Sequence, residues 1–316
     1  MMKILHIYPK DDNSLARYVA LLIKALPEHV ESRASDDPVA AKKMCKEWQP
    51  DIIHLYGSAS CDVSGRRVIS PCGVPVAKQP TFYAVIARSP LEAETLSAQG
   101  VKRVEIIRNP LVTKTTNFDE TAQKTAYVYQ KVMDSHPLPL LSETTRTLLY
   151  QLLKAAVCGD KRWVVGFTAP PSDVNYRLLF HYADLEGVLP LVQKGLNILG
   201  IEAPVHQKIA CYLPDGYQQP VSMSGRDIMD MLNDIQDNGL TLLRLVNVFE
   251  ALHAPSFNED QFMKRLDNES LSPLFRSILS IAQELLALEE GFMPCEPIDN
   301  GDTRKLRDNI NNHLRL

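Results

Sequence analysis

The sequence has little that would attach the chain to a membrane or to nucleic acid. Its 34 Lys and Arg residues are outnumbered by 38 Asp and Glu residues, and the formal net charge of -4 gives no attraction to nucleic acid or anionic lipid. No apolar run approaches the roughly 20 residues that a membrane-spanning helix needs. The apolar run at the start, about five residues, is shorter than the core of a secretory signal. We therefore expect a cytoplasmic protein with no membrane span and no nucleic-acid partner.

The cysteines show no pattern of a metal site or of a disulfide framework. No two of them form a Cys-x-x-Cys pair, the close spacing from which structural zinc sites are built. A chain of this size without an export signal has little need of disulfides. We expect no metal ion and no cofactor. The six thiols, which we expect to be unbridged, belong to Cys45, Cys61, Cys72, Cys158, Cys211 and Cys295.

Signatures of the common nucleotide-binding and hydrolytic sites are also missing. The chain has no Gly-x-x-x-x-Gly-Lys-Ser/Thr loop and no Gly-x-Gly-x-x-Gly fingerprint, in which glycines let the backbone approach phosphate groups. It has no Gly-x-Ser-x-Gly turn, which presents the nucleophile of α/β-hydrolases. Any nucleotide or catalytic site in this protein must therefore be built in another way.

The most informative stretch is a predicted buried strand at residues 51–56, DIIHLY. Its apolar pattern is nearly continuous, as in strands in the middle of a parallel sheet, and Pro50 and Gly57 mark turns at its ends. Ligands of open α/β sheets bind at the carboxyl ends of the strands. His54 and Tyr56, at the end of this strand, are therefore candidates for ligand contacts.

Predicted strands and helices alternate through the first third of the chain. Ser14 and Ser89 mark helix starts, because their hydroxyls can accept free first-turn amides, and Pro90 and Glu92 complete a typical first turn. This alternation requires right-handed crossovers and predicts an α/β fold, with a Rossmann-like, doubly wound parallel sheet of roughly five or six strands. The predicted strands are 3–8, 30–34, 51–56, 73–77, 82–88 and 103–107, and the predicted helices are 15–26, 38–48, 60–69 and 90–100.

From residue 142 onward the sequence predicts a mainly α-helical domain. The clearest helix, 271–290, carries a one-sided apolar stripe. The helix at 240–253 is apolar almost all round, which places it at the centre of the domain or in an interface. Residues 162–167 fit a strand or a buried turn. The other predicted helices are 142–157, 173–184, 186–199, 203–212, 224–237 and 302–314.

Three segments of the first third resemble the N-terminal domain of the family 4 retaining glycosyltransferases, which have two Rossmann domains. The first is the predicted strand 3–8 with the helix 15–26. The second, PDIIHLYG at 50–57, is close to that family's PDIIHxHG. The third runs from Ala87 to Pro110 and is similar to the family's S-x-x-E…G…V-x-V-I-x-N. The resemblance implies a nucleotide-sugar donor, a glycan acceptor and a role in carbohydrate metabolism.

The chain departs from the family's pattern in the parts that bind the donor. The family usually has a Gly-Gly pair after the first strand, but here Asp11 and Asp12 occupy that turn and would repel a diphosphate. The glutamate pair with which the family's second domain binds the sugar nucleotide is absent. The predicted helix 118–135 is similar to the family's closing helix. This indicates that the donor domain has been deleted and its flanking ends joined; alternatively, 118–135 is an amphipathic linker helix.

The side chains at the predicted carboxyl edge are candidates for a ligand-binding crevice. Each also has a simpler structural explanation, as a histidine bonded to its neighbours, a helix cap or a solvated arginine. Asp11 and Asp12 oppose an anion at the first helix start. No pattern identifies a catalytic residue. The candidates are Lys10, Asn13 and Ser14 after the first strand, His54, Tyr56 and Gly57 at the third, and Arg88 and Ser89 at the end of the strand 82–88.

Two functional hypotheses follow from the resemblance. The first is a pseudoenzyme, a glycosyltransferase-like protein that has lost its nucleotide-sugar domain and acts as a binding or accessory module in glycan synthesis. The second is an active retaining glycosyltransferase of the hexosyltransferase type, with an atypical donor site. Candidate partners are a nucleotide sugar, a glycan acceptor and a protein that binds the helical domain. The predicted domains are 1–112, Rossmann-like; 113–140, a connecting helix packed on the first domain; and 141–316, helical with no assigned role.

Overall fold

The chain forms two compact units. Unit 1 comprises Met1–Ser135 together with Ala210–Leu213, and unit 2 comprises His136–Ile209 and Pro214–Arg315. Within the described part of the chain, no helix is long and apolar enough to cross a membrane. The computed structural model describes residues 1–61, 65–74, 82–111, 117–164 and 170–315.

Unit 1 is built on a sheet of six parallel strands. The strands lie in the order β2-β1-β3-β4-β5-β6, and every neighbouring pair is parallel. This confirms the predicted α/β fold with a doubly wound parallel sheet. The strands are β1 Met2–Ile7, β2 Val30–Ser35, β3 Ile52–Tyr56, β4 Arg66–Ser70, β5 Ala84–Ala87 and β6 Val104–Ile106, and the helices of this unit are α1 Asn13–Ala25, α2 Pro38–Trp48, α3 Pro90–Ala98 and α4 Asp119–Asp134.

Helices cover both faces of this sheet. Successive strand residues point to opposite faces, so Ile4 packs in a buried cluster with Tyr129 of α4, whereas Leu5 packs in another cluster with Trp48 of α2. Val85 of β5 packs with α3. Burial on both faces explains why the strand sequences are nearly continuous in apolar residues.

Helix α4 packs against the sheet and against α1. Tyr129 and Val132 share a buried cluster with residues of β1, β3 and β4, and Ala122 shares another with Tyr18 of α1. Phe118, directly before α4, lies in the same cluster as Tyr18. The chain therefore returns to cover the sheet soon after β6 ends.

The regular secondary structure of unit 2 is entirely helical within its described residues. Helix α9 is buried almost all round, as its sequence predicts, and it packs against α5, α8 and α11. Short 3-10 turns occur at Leu138–Leu140, Lys161–Trp163 and Glu290–Phe292. The helices are α5 Glu143–Cys158, α6 Tyr176–Leu185, α7 Leu189–Leu199, α8 Ile228–Asn238, α9 Leu242–Leu252, α10 Glu259–Asn268, α11 Ser272–Leu286 and α12 Gly301–Asn312.

The prediction of a helix at 60–69 was wrong, because β4 occupies Arg66–Ser70. Val68 is fully buried and pairs with His54 on one side and Ala84 on the other. A central parallel strand gains hydrogen bonds and buried apolar area on both sides, which a surface helix here would not provide. Residues 62–64 and residues 75–77 of the strand predicted at 73–77 lie outside the described residues; Gly73 lies in a turn.

The prediction of a helix at 203–212 was also wrong, because this stretch has no regular secondary structure. Tyr212 instead packs in unit 1, where its backbone N donates to Ser135 Oγ at 2.9 Å and its hydroxyl donates to Glu105 Oε1 at 2.8 Å. The ammonium of Lys131 lies 4.4 Å from the centre of its ring. Of the stretch at 162–167, the described beginning belongs to the 3-10 turn at Lys161–Trp163 and the end lies outside the described residues.

Gly195 of α7 allows α7 to approach α5 closely. A Cβ atom at this position would lie 2.2 Å from the carbonyl oxygen of Leu152, so the two helices must move apart to accept it. We expect Gly195→Ala to lower the free energy of unfolding by about 1–3 kcal/mol, measured by urea unfolding followed by circular dichroism.

The control for this experiment is Gly301→Ala at the first residue of α12. A Cβ atom at Gly301 meets nothing within 4 Å, so this substitution should leave the free energy of unfolding within about 0.5 kcal/mol. Equal losses from the two substitutions would show that close helix packing is not the cause.

Candidate functional site

The turn after β1 places the first group of candidates at the surface. Lys10, Asn13 and Ser14 are exposed. The N-cap of α1 is Asp12 rather than Ser14, because Asp12 Oδ1 accepts hydrogen bonds from the backbone N of Ser14 at 3.1 Å and of Leu15 at 2.9 Å. The Ser14 hydroxyl donates to the same oxygen at 2.6 Å. These bonds, led by that of the hydroxyl, hold the pKa of Asp12 below its ordinary value.

The second group of candidates lies in the interior of unit 1. His54 and Tyr56 are at most 1% exposed. His54 Nδ1 lies 2.6 Å from the hydroxyl of Tyr129 and 3.0 Å from that of Tyr56, and His54 Nε2 lies 2.8 Å from Ser70 Oγ. His6 Nδ1 lies 2.8 Å from the same Tyr56 hydroxyl. His54 and Tyr56 therefore belong to a buried hydrogen-bond network rather than to the wall of an open crevice.

This buried network is uncharged near neutral pH. Burial lowers the pKa of His6 to about 3 and lowers the pKa of His54 well below its ordinary value. Burial raises the pKa values of Tyr56 and Tyr129 well above theirs. Buried polar groups that are paired in this way fix the positions of the elements that carry them, here β1, β3, β4 and α4. Gly57, also buried, adopts a φ of +57° as the chain leaves β3, a conformation that favours glycine.

An open crevice lies at the other part of the same sheet edge, beside β4, β5 and β6. Its volume is about 700 Å³, within the range typical of small-molecule sites. Its wall includes Arg88 and Ser89, directly after β5, and Arg108 and Asn109, just after β6. The first turns of α3, with Leu91, provide apolar surface. We refer to it as the β4–β6 crevice.

Two guanidinium groups give this crevice its charge. Arg88 is half-buried and Arg108 is exposed, and the structure gives neither side chain an ion pair or hydrogen bond with another described residue. One carboxylate, that of Glu92, also lines the crevice. Glu92 Oε2 accepts a hydrogen bond from the backbone N of Arg88 at 2.6 Å, and Oε1 accepts one from Gly73 N at 2.9 Å. The carboxylate is thus occupied by backbone amides, and the two guanidiniums are the groups of this crevice whose charge suits an anionic ligand.

The hydroxyl of Ser89 has a structural role. Ser89 is the N-cap of α3 and its Oγ accepts a hydrogen bond from Glu92 N at 3.1 Å, as the sequence predicts. Arg88 and Ser89 are the predicted site residues that the structure brings together in the crevice. Arg108 was not among the predicted site residues, although it stands directly after the strand predicted at 103–107. Because ligands bind at the carboxyl ends of parallel strands, its position in the sequence could have identified it.

The residues that the structure describes contain no group of three or more His, Cys, Asp or Glu side chains able to hold a metal ion. Comparison of the chain with protein-family models, with curated proteins and with solved structures gave no match. The resemblance to family 4 glycosyltransferases therefore stays a prediction from the sequence.

The lowered pKa values of the two buried histidines, His6 and His54, predict how the stability of unit 1 depends on pH. The pKa of His6 is about 3 in the folded chain, and its ordinary value is 6.5. Between these two pH values the unfolded chain binds more protons than the folded chain. The free energy of unfolding therefore rises with pH by up to about 1.4 kcal/mol per pH unit for each buried histidine. We expect His6→Phe to reduce this slope by about that amount.

The slope can be measured by urea unfolding between pH 4.5 and 6.5. Fluorescence of Trp48, in a Trp163→Phe background, reports on unit 1 because Trp48 belongs to its core. Ser32→Ala is the control, since it removes the contact at 3.3 Å from His6 Nε2 but keeps the histidine. A His6→Phe slope equal to that of the unsubstituted chain would mean that His6 takes up its proton without unfolding.

Proposed function

We propose that this chain is a glycosyltransferase-related protein that binds a ligand without transferring sugar, as a pseudoenzyme or accessory module in glycan synthesis. The observation that carries the proposal is the Asp12 cap of α1. In an open α/β fold, the helix N-terminus after the first strand is a preferred place for a diphosphate, because its amides point at the ligand. Here a carboxylate accepts hydrogen bonds from two of those amides, and its negative charge opposes a phosphate.

The return of α4 to the sheet also supports the loss of a donor domain. A two-domain glycosyltransferase of this kind would place a second Rossmann domain between the last strand of the first domain and the closing helix. Here β6 ends at Ile106 and α4 begins at Asp119. After β6 the described residues contain helices, 3-10 turns and irregular segments, but no strand.

The β4–β6 crevice is the ligand site that we propose for this module. Two guanidiniums without an ion pair or hydrogen bond among the described residues, beside an apolar wall, suit a ligand with an anionic group. Arginine pairs with carboxylate or phosphate through two parallel hydrogen bonds. An acidic glycan or a sugar phosphate combines such a group with a sugar ring. A protein partner for the helical unit belongs to the same proposal.

The second candidate function is sugar transfer by an active retaining hexosyltransferase with an atypical donor site. The observation in its favour is the same pair, Arg88 and Arg108, since guanidiniums at the carboxyl ends of strands could bind a donor diphosphate. The two candidates differ in one measurable respect: only the second requires affinity for nucleotide sugars.

We expect no UDP-, GDP-, ADP- or dTDP-sugar to raise the melting temperature of the chain, whereas glucuronate or glucose 6-phosphate should raise it. A ligand that binds only the folded state must raise the melting temperature once its concentration is well above its dissociation constant. Glucose serves as the neutral control. A shift with a nucleotide sugar, together with measured sugar transfer, would replace the first function with the second.

We expect Arg88→Gln and Arg108→Gln each to weaken binding of the acidic sugar about tenfold, which corresponds to the loss of one charge-assisted hydrogen bond. Calorimetric titration of the full chain gives the dissociation constants. Arg17→Gln is the matched control, because it removes the same charge from the exposed surface of α1. Equal weakening by all three substitutions would mean that the effect is one of net charge and that the crevice is not the site.

A further inference from the structure

Unit 2 contains a cavity of about 490 Å³ formed by α8, α9 and α10 with the segments beside them. Its volume falls within the range typical of small-molecule sites. Asn247, Glu250 and Ala251, which share one face of α9, lie in its wall. We refer to it as the α9 cavity.

Asn247 is the unusual residue of this cavity. It is 1% exposed, and neither its amide nitrogen nor its amide oxygen forms a hydrogen bond with any residue that the structure describes. A buried polar group left in this state costs about 1–3 kcal/mol. Its neighbours Val246 and Val248 are fully buried apolar residues, so the packing of α9 alone would favour an apolar side chain here. A group within the cavity that bonds to the amide would remove this cost.

The charges around the α9 cavity balance. Arg226 and Arg265 line it together with Asp227 and Glu250, two residues of each sign. Arg265 Nη1 donates to Asp227 Oδ2 at 2.6 Å, so one pair is already neutralised internally. This balance favours a ligand without net charge over the anion expected for the β4–β6 crevice.

The remaining wall is apolar and partly aromatic. Phe257 and Phe262 line the cavity, with their ring centres 5.4 Å apart, and Ile228 and Met231 add aliphatic surface. Aromatic and aliphatic walls of this kind accommodate the faces of a flat ring. The amide of Asn247 offers one donor and one acceptor side by side, so its complement is an edge that presents an acceptor beside a donor.

We propose that the α9 cavity binds a neutral, planar ligand whose edge pairs with the amide of Asn247 through two hydrogen bonds. Two sources share this chemistry: an adenine base, which pairs with asparagine through its N6 amino group and N7, and a primary carboxamide on an aromatic ring. The proposal lies in a different unit from the β4–β6 crevice and does not depend on the function proposed above.

The test compares ligands that differ by the donor group alone. The full chain is titrated in a calorimeter with two pairs of ligands. The first pair is adenosine and purine riboside, which lacks the 6-amino group. The second pair is nicotinamide and methyl nicotinate, which lacks the amide N–H. In whichever pair binds, the analogue without the donor should bind about tenfold more weakly or worse. Binding of adenosine identifies a purine ligand, and binding of nicotinamide identifies a carboxamide ligand.

Asn247→Leu should weaken that binding at least tenfold without lowering the urea midpoint, because it removes an unpaired polar group from the interior. The matched control is Ser277→Ala. Ser277 is also fully buried, its hydroxyl likewise has no partner among the described residues, and it does not line the cavity, so its substitution should leave binding unchanged. Ala251→Phe provides a second variant, in which a larger side chain fills the cavity while Asn247 is kept.

The proposal is overturned if neither adenosine nor nicotinamide binds at millimolar concentration. It is also overturned if binding persists in Asn247→Leu, or in Ala251→Phe should the first variant fail to fold. A loss of binding in Ser277→Ala equal to that in Asn247→Leu would assign the effect to general destabilisation of unit 2 and would equally overturn it.

Discussion

The hydrogen bond between His54 and Tyr129 is the contact on which the arrangement of unit 1 depends. It joins the central strand β3 to α4 at 2.6 Å in a fully buried setting. An unpaired polar group at either residue would cost about 1–3 kcal/mol. The hydrogen bond that avoids this cost forms only when α4 packs against the sheet. Tyr56 extends the same network to His6 of β1, and burial keeps all four groups uncharged. The network is thus a positional constraint, distinct from a set of acids and bases available to a substrate.

This constraint divides the carboxyl edge of the sheet into two parts. At the end of β3, Tyr56 packs in a cluster with Phe118 and Ala122, so the approach of α4 fills the place where an open sheet would offer a crevice. The part beside β4, β5 and β6 stays open, and the arginines Arg88 and Arg108 line it. The open part of this edge therefore lies at the ends of β4, β5 and β6.

The sequence allowed prediction of features that depend on neighbouring residues. The apolar run of β3 and the alternation of strands and helices were enough to predict the parallel sheet, because a strand buried on both faces needs such a run. The cap of α3 at Ser89 was predicted from the residues next to it, Pro90 and Glu92, which are typical of a first helical turn. The cap of α1 was misplaced by two residues, since Asp12 and Ser14 are equally good cap types and only the backbone conformation decides between them.

Features that depend on distant residues could not be predicted in this way. His54 was a candidate for a ligand crevice, with a histidine bonded to its neighbours as the alternative. Its partner Tyr129 lies 75 residues further along the chain, and no local pattern indicates that the two would meet. Tyr212 is the last residue of the stretch predicted as a helix, yet its hydroxyl donates to Glu105, 107 residues away, and no local pattern indicates this contact. The apolar environment of α9 was predicted, whereas the unpaired state of Asn247 within it became visible only once the neighbouring helices were in place.

Asn247 differs from the satisfied network of unit 1 in its energetic consequence. Its amide N–H and C=O groups have no partner among the described residues. At about 1–3 kcal/mol each, they are a large share of the roughly 5–15 kcal/mol that stabilises a typical domain. A ligand that satisfies both groups returns that free energy on binding and so binds more tightly than its contact area alone implies. Substitution of Asn247 by leucine would remove the cost of the unpaired amide without any ligand. A leucine at this position would therefore stabilise the empty protein, whereas the asparagine is free of that cost only when a ligand occupies the α9 cavity.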